Sequence, residues 1–208
     1  KNNGNHKNQT KIEIKIDFDD LKNVEWARKY IAKLAADRVF DGYADGTFRP
    51  NQSVNRIEAI IAAVRMMGLR EQAEARTMEG TELNFKDADL IARKFPNAVG
   101  YVAVAVENDL FLETDTHVQP EKSGDRLWAT MLLVKAMKLE DEAKSKMNVK
   151  LPFEDRKDIP AGAVGYVAVA LEKGLVSGYS NGTFRPNKAV TRAELAASRH
   201  CRRQAVLA

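Results

Sequence analysis

The sequence predicts a mainly α fold assembled from three copies of one helix–loop–helix unit. Three observations carry the prediction: an internal repeat, apolar residues at helical spacing before it, and a helix-start motif at a fixed distance after it. The strongest repeat pairs residues 41–50 (DGYADGTFRP) with 177–186 (SGYSNGTFRP), where seven of ten positions are identical. The offset of 136 residues continues without a gap through both flanks, placing Tyr30 on Tyr166 and Asn55-Arg56-Ile57-Glu58 on Thr191-Arg192-Ala193-Glu194. A worn third copy lies between them. Residues 99–105 repeat 164–170 as VGYVAVA, and Asp125-Arg126-Leu127-Trp128 takes the place of the helix-start motif. Each copy opens on a similar phrase: Phe18-Asp19-Asp20, Phe85-Lys86-Asp87 and Phe153-Glu154-Asp155. The units are therefore drawn at 17–69, 84–139 and 152–206, joined by Glu-rich connectors at 70–83 and 140–151. Residues 1–16 are expected to be a disordered leader.

In the first unit Val24, Trp26, Ala27, Tyr30, Ile31 and Leu34 recur at helical spacing, which predicts a helix over 24–38. Its counterparts are expected near 96–108 and 160–173, each beginning at a proline, a favoured first-turn residue. The Val-Ala alternation in VGYVAVA resembles strand patterning, but its ungapped match to the first helix argues for helix. Asp45-Gly46 and Asn181-Gly182 are turn dipeptides, because glycine accepts positive φ and Asp or Asn tolerates it. Phe48 and Phe184 are expected to plug their loops into the core. Thr191 with Glu194 forms a capping box that starts the second helix, and Asn55 with Glu58 is expected to do the same. Asp125 can cap, but Trp128 replaces the reciprocal Glu. A two-helix unit cannot bury its apolar face alone, so the copies must pack on one another as a short solenoid or a closed pseudo-threefold cluster.

Composition narrows the function classes. The formal net charge of +4 permits an anionic partner without naming one. Dense Lys/Arg runs are missing apart from Arg199, Arg202 and Arg203, so no nucleic-acid partner is expected. No apolar run reaches the roughly 20 residues of a membrane-spanning helix, so no membrane insertion is expected. A single cysteine, Cys201, excludes an intramolecular disulfide. His6, His117 and His200 lack ligand spacing, and Gly42, Tyr43 and Ala44 break a calcium-loop pattern, so neither a metal nor a cofactor is predicted. No nucleophile–base set or phosphate loop is recognisable. Glu58 and Glu194 read as caps rather than as a glycosidase pair. The chain is not expected to be an enzyme.

These phrases resemble the S-layer homology family of bacterial surface proteins. The resemblance is carried by Phe18-x-Asp20, Trp26-Ala27, Tyr30-Ile31, the run from Gly42 to Pro50 and Asn55-Arg56-Ile57-Glu58, then by 178–186 with Thr191-Arg192-Ala193-Glu194. It covers almost the whole chain from residue 17. It implies a pseudo-threefold cluster of the three repeats around a central three-helix bundle, with grooves between lobes. It also implies an extracellular location at the bacterial cell wall or S-layer. The implied partner is an anionic, peptidoglycan-linked wall polysaccharide, often bearing pyruvylated amino sugars, held non-covalently. The family's ligand-contacting arginine falls on Arg56 and Arg192, and on Arg126 in the worn copy.

Chemistry suits that role. An arginine at the first turn of a capped helix sits where free amides and the helix dipole favour an anion. Its planar fork can grip a carboxylate with two hydrogen bonds. Trp26, Tyr43 and Tyr179 offer faces for sugar rings, Gly42 and Gly178 allow close backbone approach, and Asp45 in the adjoining turn is a further candidate ligand contact. The middle copy, with Glu113-Thr114-Asp115-Thr116-His117 in place of Gly-Tyr-x-Asp-Gly, predicts a weaker or closed groove. The competing expectation is a structural module that self-associates within a surface lattice.

Overall fold

A computed structural model describes residues 18–198. The expectations for 1–16, for Arg199, Arg202 and Arg203, and for the last helix beyond residue 198 lie outside the described residues. Nine α-helices occur among the described residues: α1 (Glu25–Ala36), α2 (Arg56–Met66), α3 (Arg70–Met78), α4 (Ala88–Lys94), α5 (Val99–Glu107), α6 (Arg126–Ala136), α7 (Glu140–Lys144), α8 (Val164–Glu172) and α9 (Arg192–Ala197). The mainly α expectation is met. VGYVAVA is helical in both copies, each entered through a 3₁₀ turn, Pro96–Ala98 and Ala161–Ala163.

Each long loop is tied down in the same way. The Asp20 carboxylate accepts the amides of Phe48 and Arg49 at 2.9 and 2.7 Å. Asp155 accepts those of Phe184 and Arg185, and Asp87 those of Val118 and Gln119. The second residue of each pair is left-handed: Arg49 at φ 57°, Gln119 at 56° and Arg185 at 55°. Non-glycine residues rarely adopt that region, and two charge-assisted hydrogen bonds per loop hold it here. This is the work of the aspartate in the opening phrase, a role that local sequence spacing does not reveal. The loop tips behave as expected, with Asp45 and Asn181 each accepting the amide and hydroxyl of the Thr two residues on. Phe48 and Phe184 are fully buried.

The segments interlock in a ring. The amides of Arg56 and Ile57 at the start of α2 donate to the carbonyls of Lys122 and Pro120. Those of Arg126 and Leu127 at the start of α6 donate to Lys188 and Pro186, and those of Arg192 and Ala193 at the start of α9 donate to Gln52 and Pro50. Val54, Gly124 and Val190 close a second cycle, Val54 donating to Val190, Val190 to Gly124 and Gly124 to Val54, each at 2.9 Å. Three isolated bridges accompany it: Ser53 with Thr191, Asn55 with Ser123, and Asp125 with Ala189. Side-chain packing follows the same order, α2 lying on α5, α6 on α8 and α9 on α1.

The connectors are helical, and they cover the neighbouring helices. α3 crosses α5 so closely that a Cβ on Gly100 would lie 1.8 Å from the Ala73 carbonyl oxygen. α7 crosses α8 at the same distance between Gly165 and Ala143. Buried on both faces, α5 and α8 need apolar residues all round, which explains their Val-Ala runs.

Candidate functional site

The ring brings each first-turn arginine to a loop from another part of the chain. Arg192 of α9 reaches the 41–50 loop, Arg126 of α6 the 177–186 loop, and Arg56 of α2 the 110–118 loop. The predicted site residues therefore do not assemble within one unit. Gly42 and Tyr43 sit with Arg192, and Gly178 and Tyr179 with Arg126. Arg56, which the repeat places beside the 41–50 loop in sequence, sits elsewhere.

The Arg192 and Arg126 seams are nearly satisfied internally. Arg192 is 4% exposed; its Nε donates to the Phe48 carbonyl and its Nη2 to the Asp41 carbonyl, both at 2.7 Å. Its Nη1 pairs with Glu58 at 3.5 Å without hydrogen-bond alignment, leaving that buried Glu58 oxygen without a hydrogen bond. Burial raises the Glu58 pKa above its ordinary value, and the nearby Arg192 opposes that only in part. Burial likewise lowers the pKa of Arg192. Arg126, 8% exposed, donates from Nε to the Phe184 carbonyl, from Nη2 to the Ser177 carbonyl and from Nη1 to Glu194 at 2.6 Å. Burial alone would raise Glu194, but the Tyr179 hydroxyl, Arg126 and the Thr191 amide together hold it below the usual carboxylate value.

The packing bears on three expectations here. The first-turn amides of α2, α6 and α9 are not free, because the ring and the caps use them. Tyr43 and Tyr179 do not offer bare faces: Arg49 and Arg192 lie 3.6 and 4.8 Å from the Tyr43 centroid, and Arg185 and Arg126 each 4.5 Å from that of Tyr179. Gly42 and Gly178 are required by Phe18 and Phe153, whose rings would lie 2.1 and 2.5 Å from an added Cβ. Asp45 is an exposed turn residue bonded to Thr47 and Arg49. The capping box at Thr191 and Glu194 is complete, whereas at Asn55 only the forward half forms, since Glu58 turns towards Arg192.

The Arg56 seam differs. Asp125 caps α6 through the Trp128 amide as expected, and Trp128 occupies the position held by Glu58 and Glu194 elsewhere. The Arg56 guanidinium lies 5.0 Å from the Trp128 ring, and its buried Nε has no hydrogen-bond partner. Burial lowers its pKa, while Asp125 and Asp115 act at a distance to raise it. Arg56, Asp115 and Trp128 line a cavity of about 230 Å³ together with Phe111, His117 and Lys135. Trp26 is on none of the arginine loops. It is 55% exposed on α1, at the rim of a cleft of about 600 Å³ that also holds Arg126, Gly178, Tyr179 and Glu194. Among the described residues, no cluster of His, Cys, Asp or Glu suits a metal, and no helix is long and apolar enough to cross a membrane.

Comparison with known proteins bears on what this architecture is. The S-layer homology domain family matches residues 17–60 and 152–196. The chain is 29% identical over 86% of its length to an amylopullulanase of Thermoanaerobacterium thermosulfurigenes. It is 28% identical over 86% of its length to a surface-layer 125 kDa protein of Lysinibacillus sphaericus. It is 27% identical over 74% of its length to a cellulosome-anchoring protein of Acetivibrio thermocellus. It spans 9%, 14% and 32% of those proteins' own lengths. The matched segments hold both intact loops, both aspartate staples and the two helix-start motifs at Asn55 and Thr191, and in these two segments the chain carries S-layer homology domain repeats.

Proposed function

We propose that the chain is an extracellular wall-binding module that holds a bacterial surface protein to the cell wall through an acidic, peptidoglycan-linked polysaccharide. The similarity to surface-layer and cellulosome-anchoring proteins supports anchoring. The similarity to an amylopullulanase over a small part of that enzyme fits a binding segment attached to chemistry performed elsewhere. The observation that carries the acidic ligand reverses the expectation of a weaker groove at the middle copy: Arg56 is a guanidinium with an unpartnered buried donor beside an indole, in a cavity where Asp115 and Asp125 act on it only at a distance and no glutamate pairs with it as Glu58 and Glu194 pair elsewhere. A carboxylate entering that cavity gains a charge-assisted hydrogen bond without displacing an internal partner. A pyruvyl ketal on an amino sugar presents such a group on a compact ring substituent. Binding here is a non-covalent exchange of water for ligand, with no bond made or broken.

Sedimentation with sacculi tests the reading. The chain is expected to co-sediment with sacculi that carry their polymer and to stay in solution with sacculi stripped of it. Equal retention by both would overturn it. Arg56→Ala is expected to release the protein from intact sacculi.

A further inference from the structure

α1 differs from its structural counterparts. α5 and α8 are each covered by a connector helix that approaches through Gly100 or Gly165. Aligning Tyr30 with Tyr101 and Tyr166 puts Lys29 at that position in α1, and a side chain there bars a helix from the same approach. The outer face of α1 accordingly carries exposed Trp26, Arg28 and Lys29. Trp26 stands where Asn97 and Gly162 stand in the covered helices, so the indole is peculiar to the helix that no connector covers among the described residues.

Trp26 and Tyr30 also line two clefts at once. One is the cleft of about 600 Å³ beside Arg126 and Glu194; the other, of about 630 Å³, runs along α1 past Leu21, Glu25 and Lys29. The indole is thus the ridge between two adjoining depressions. Two of the cations bordering it are paired, Arg126 with Glu194 and Arg28 with Glu25 at 3.3 Å, Lys188 shares Glu194 at 3.4 Å, and Lys29 lies over the Tyr30 ring at 5.0 Å. An exposed aromatic ridge between clefts whose carboxylates are already engaged by cations suits a ring with one apolar face and polar edges.

We propose that Trp26 is a stacking subsite for uncharged sugar residues, with the glycan passing from the Arg126 cleft over the indole onto α1. This rests on the wall-polysaccharide reading above and adds a second, chemically distinct contact to it. The Arg56 cavity takes the acidic substituent, and the Trp26 ridge takes a neutral stretch of the chain.

The two tryptophans report on the two places separately. The probe is wall polymer released from sacculi of a bacterium bearing S-layer homology proteins, used before and after mild-acid removal of its acidic substituents. In Trp128→Phe protein, the remaining Trp26 emission is expected to shift to the blue with both preparations. In Trp26→Phe protein, Trp128 emission is expected to respond to the acidic preparation alone. Trp26→Ala is expected to weaken binding of the stripped polymer about tenfold. A Trp128 response with a silent Trp26 overturns the stacking subsite and leaves the anchoring reading standing. A Trp26 response confined to the acidic polymer overturns the assignment to neutral sugars. Silence of both tryptophans with both preparations overturns the anchoring reading and the subsite with it. Circular dichroism of each variant controls for folding; Trp26 is exposed, so its replacement leaves the core intact.

Discussion

The Arg126 and Arg192 seams and the Arg56 seam start from the same motif and end in different chemistry. In the first two, an arginine crosses into another segment's loop, donates to two backbone carbonyls and meets a glutamate. In the third, the loop has lost its Gly-Tyr-x-Asp-Gly core, the glutamate position holds Trp128, and the arginine keeps an unused donor. The comparison teaches that one conserved-looking side chain can serve as an internal fastener in two places and remain available to a ligand in a third. Satisfaction by the protein itself decides between the roles, because a buried guanidinium with all donors engaged gains little from a new partner.

Removing a fastener should have the largest effect on the fold. Arg192→Ala leaves the Phe48 and Asp41 carbonyls and the half-buried Glu58 without their cation, and is expected to cost about 3 kcal/mol or more in urea unfolding. Arg126→Ala should behave alike, whereas Arg56→Ala should change stability by less than about 1 kcal/mol. Equal losses at all three arginines would erase the distinction between the seams.

Binding should show the reverse order. Arg56→Ala is expected to lower affinity for acidic wall polymer about tenfold or more in calorimetry, the scale of one charge-assisted hydrogen bond. Trp128→Glu rebuilds the neutralising carboxylate of the other seams and is expected to weaken acidic-polymer binding several-fold while leaving the protein folded. Unchanged affinity in that variant would show that the missing glutamate is not what keeps Arg56 available.

The smallest effect is on pH dependence, and it separates Glu194 from Glu58. The folded pKa of Glu194 is lowered, so its contribution is present above the ordinary carboxylate value of about 4.3 and is lost as pH falls through the lowered one. The folded pKa of Glu58 is raised, so its contribution is fully present below the ordinary value and is lost as pH rises through the raised one. Glu194→Gln should flatten the acid limb of a stability profile, and Glu58→Gln should steepen it. The same change in both variants would contradict the opposite environments described for the two carboxylates.

Much of the fold was legible because its signals are local. The 136-residue offset, the helical spacing in α1 and the turn dipeptides Asp45-Gly46 and Asn181-Gly182 each depend on residues close in sequence. The connectors were less legible. α3 is polar, and what seats it is Ala73 and Thr77 against Gly100, with the Tyr101 hydroxyl donating to Glu74, all contacts between segments distant in sequence. Within the site, the residue types were legible and their grouping was not. Arg56 lies six residues after Pro50 yet belongs with Trp128, while Arg192 reaches back 144 residues to Phe48.

The sequence alone determined the repeated unit, its helices, its capped second-helix starts and the two segments that carry the S-layer homology repeat, because periodicity and capping act over a few residues. Only the tertiary structure decided which arginine meets which loop, since the first two amides of each second helix hydrogen-bond across the ring and only the caps act within the unit. That pairing, together with the loss of one glutamate at Trp128, sets which guanidinium the fold consumes and which it leaves open.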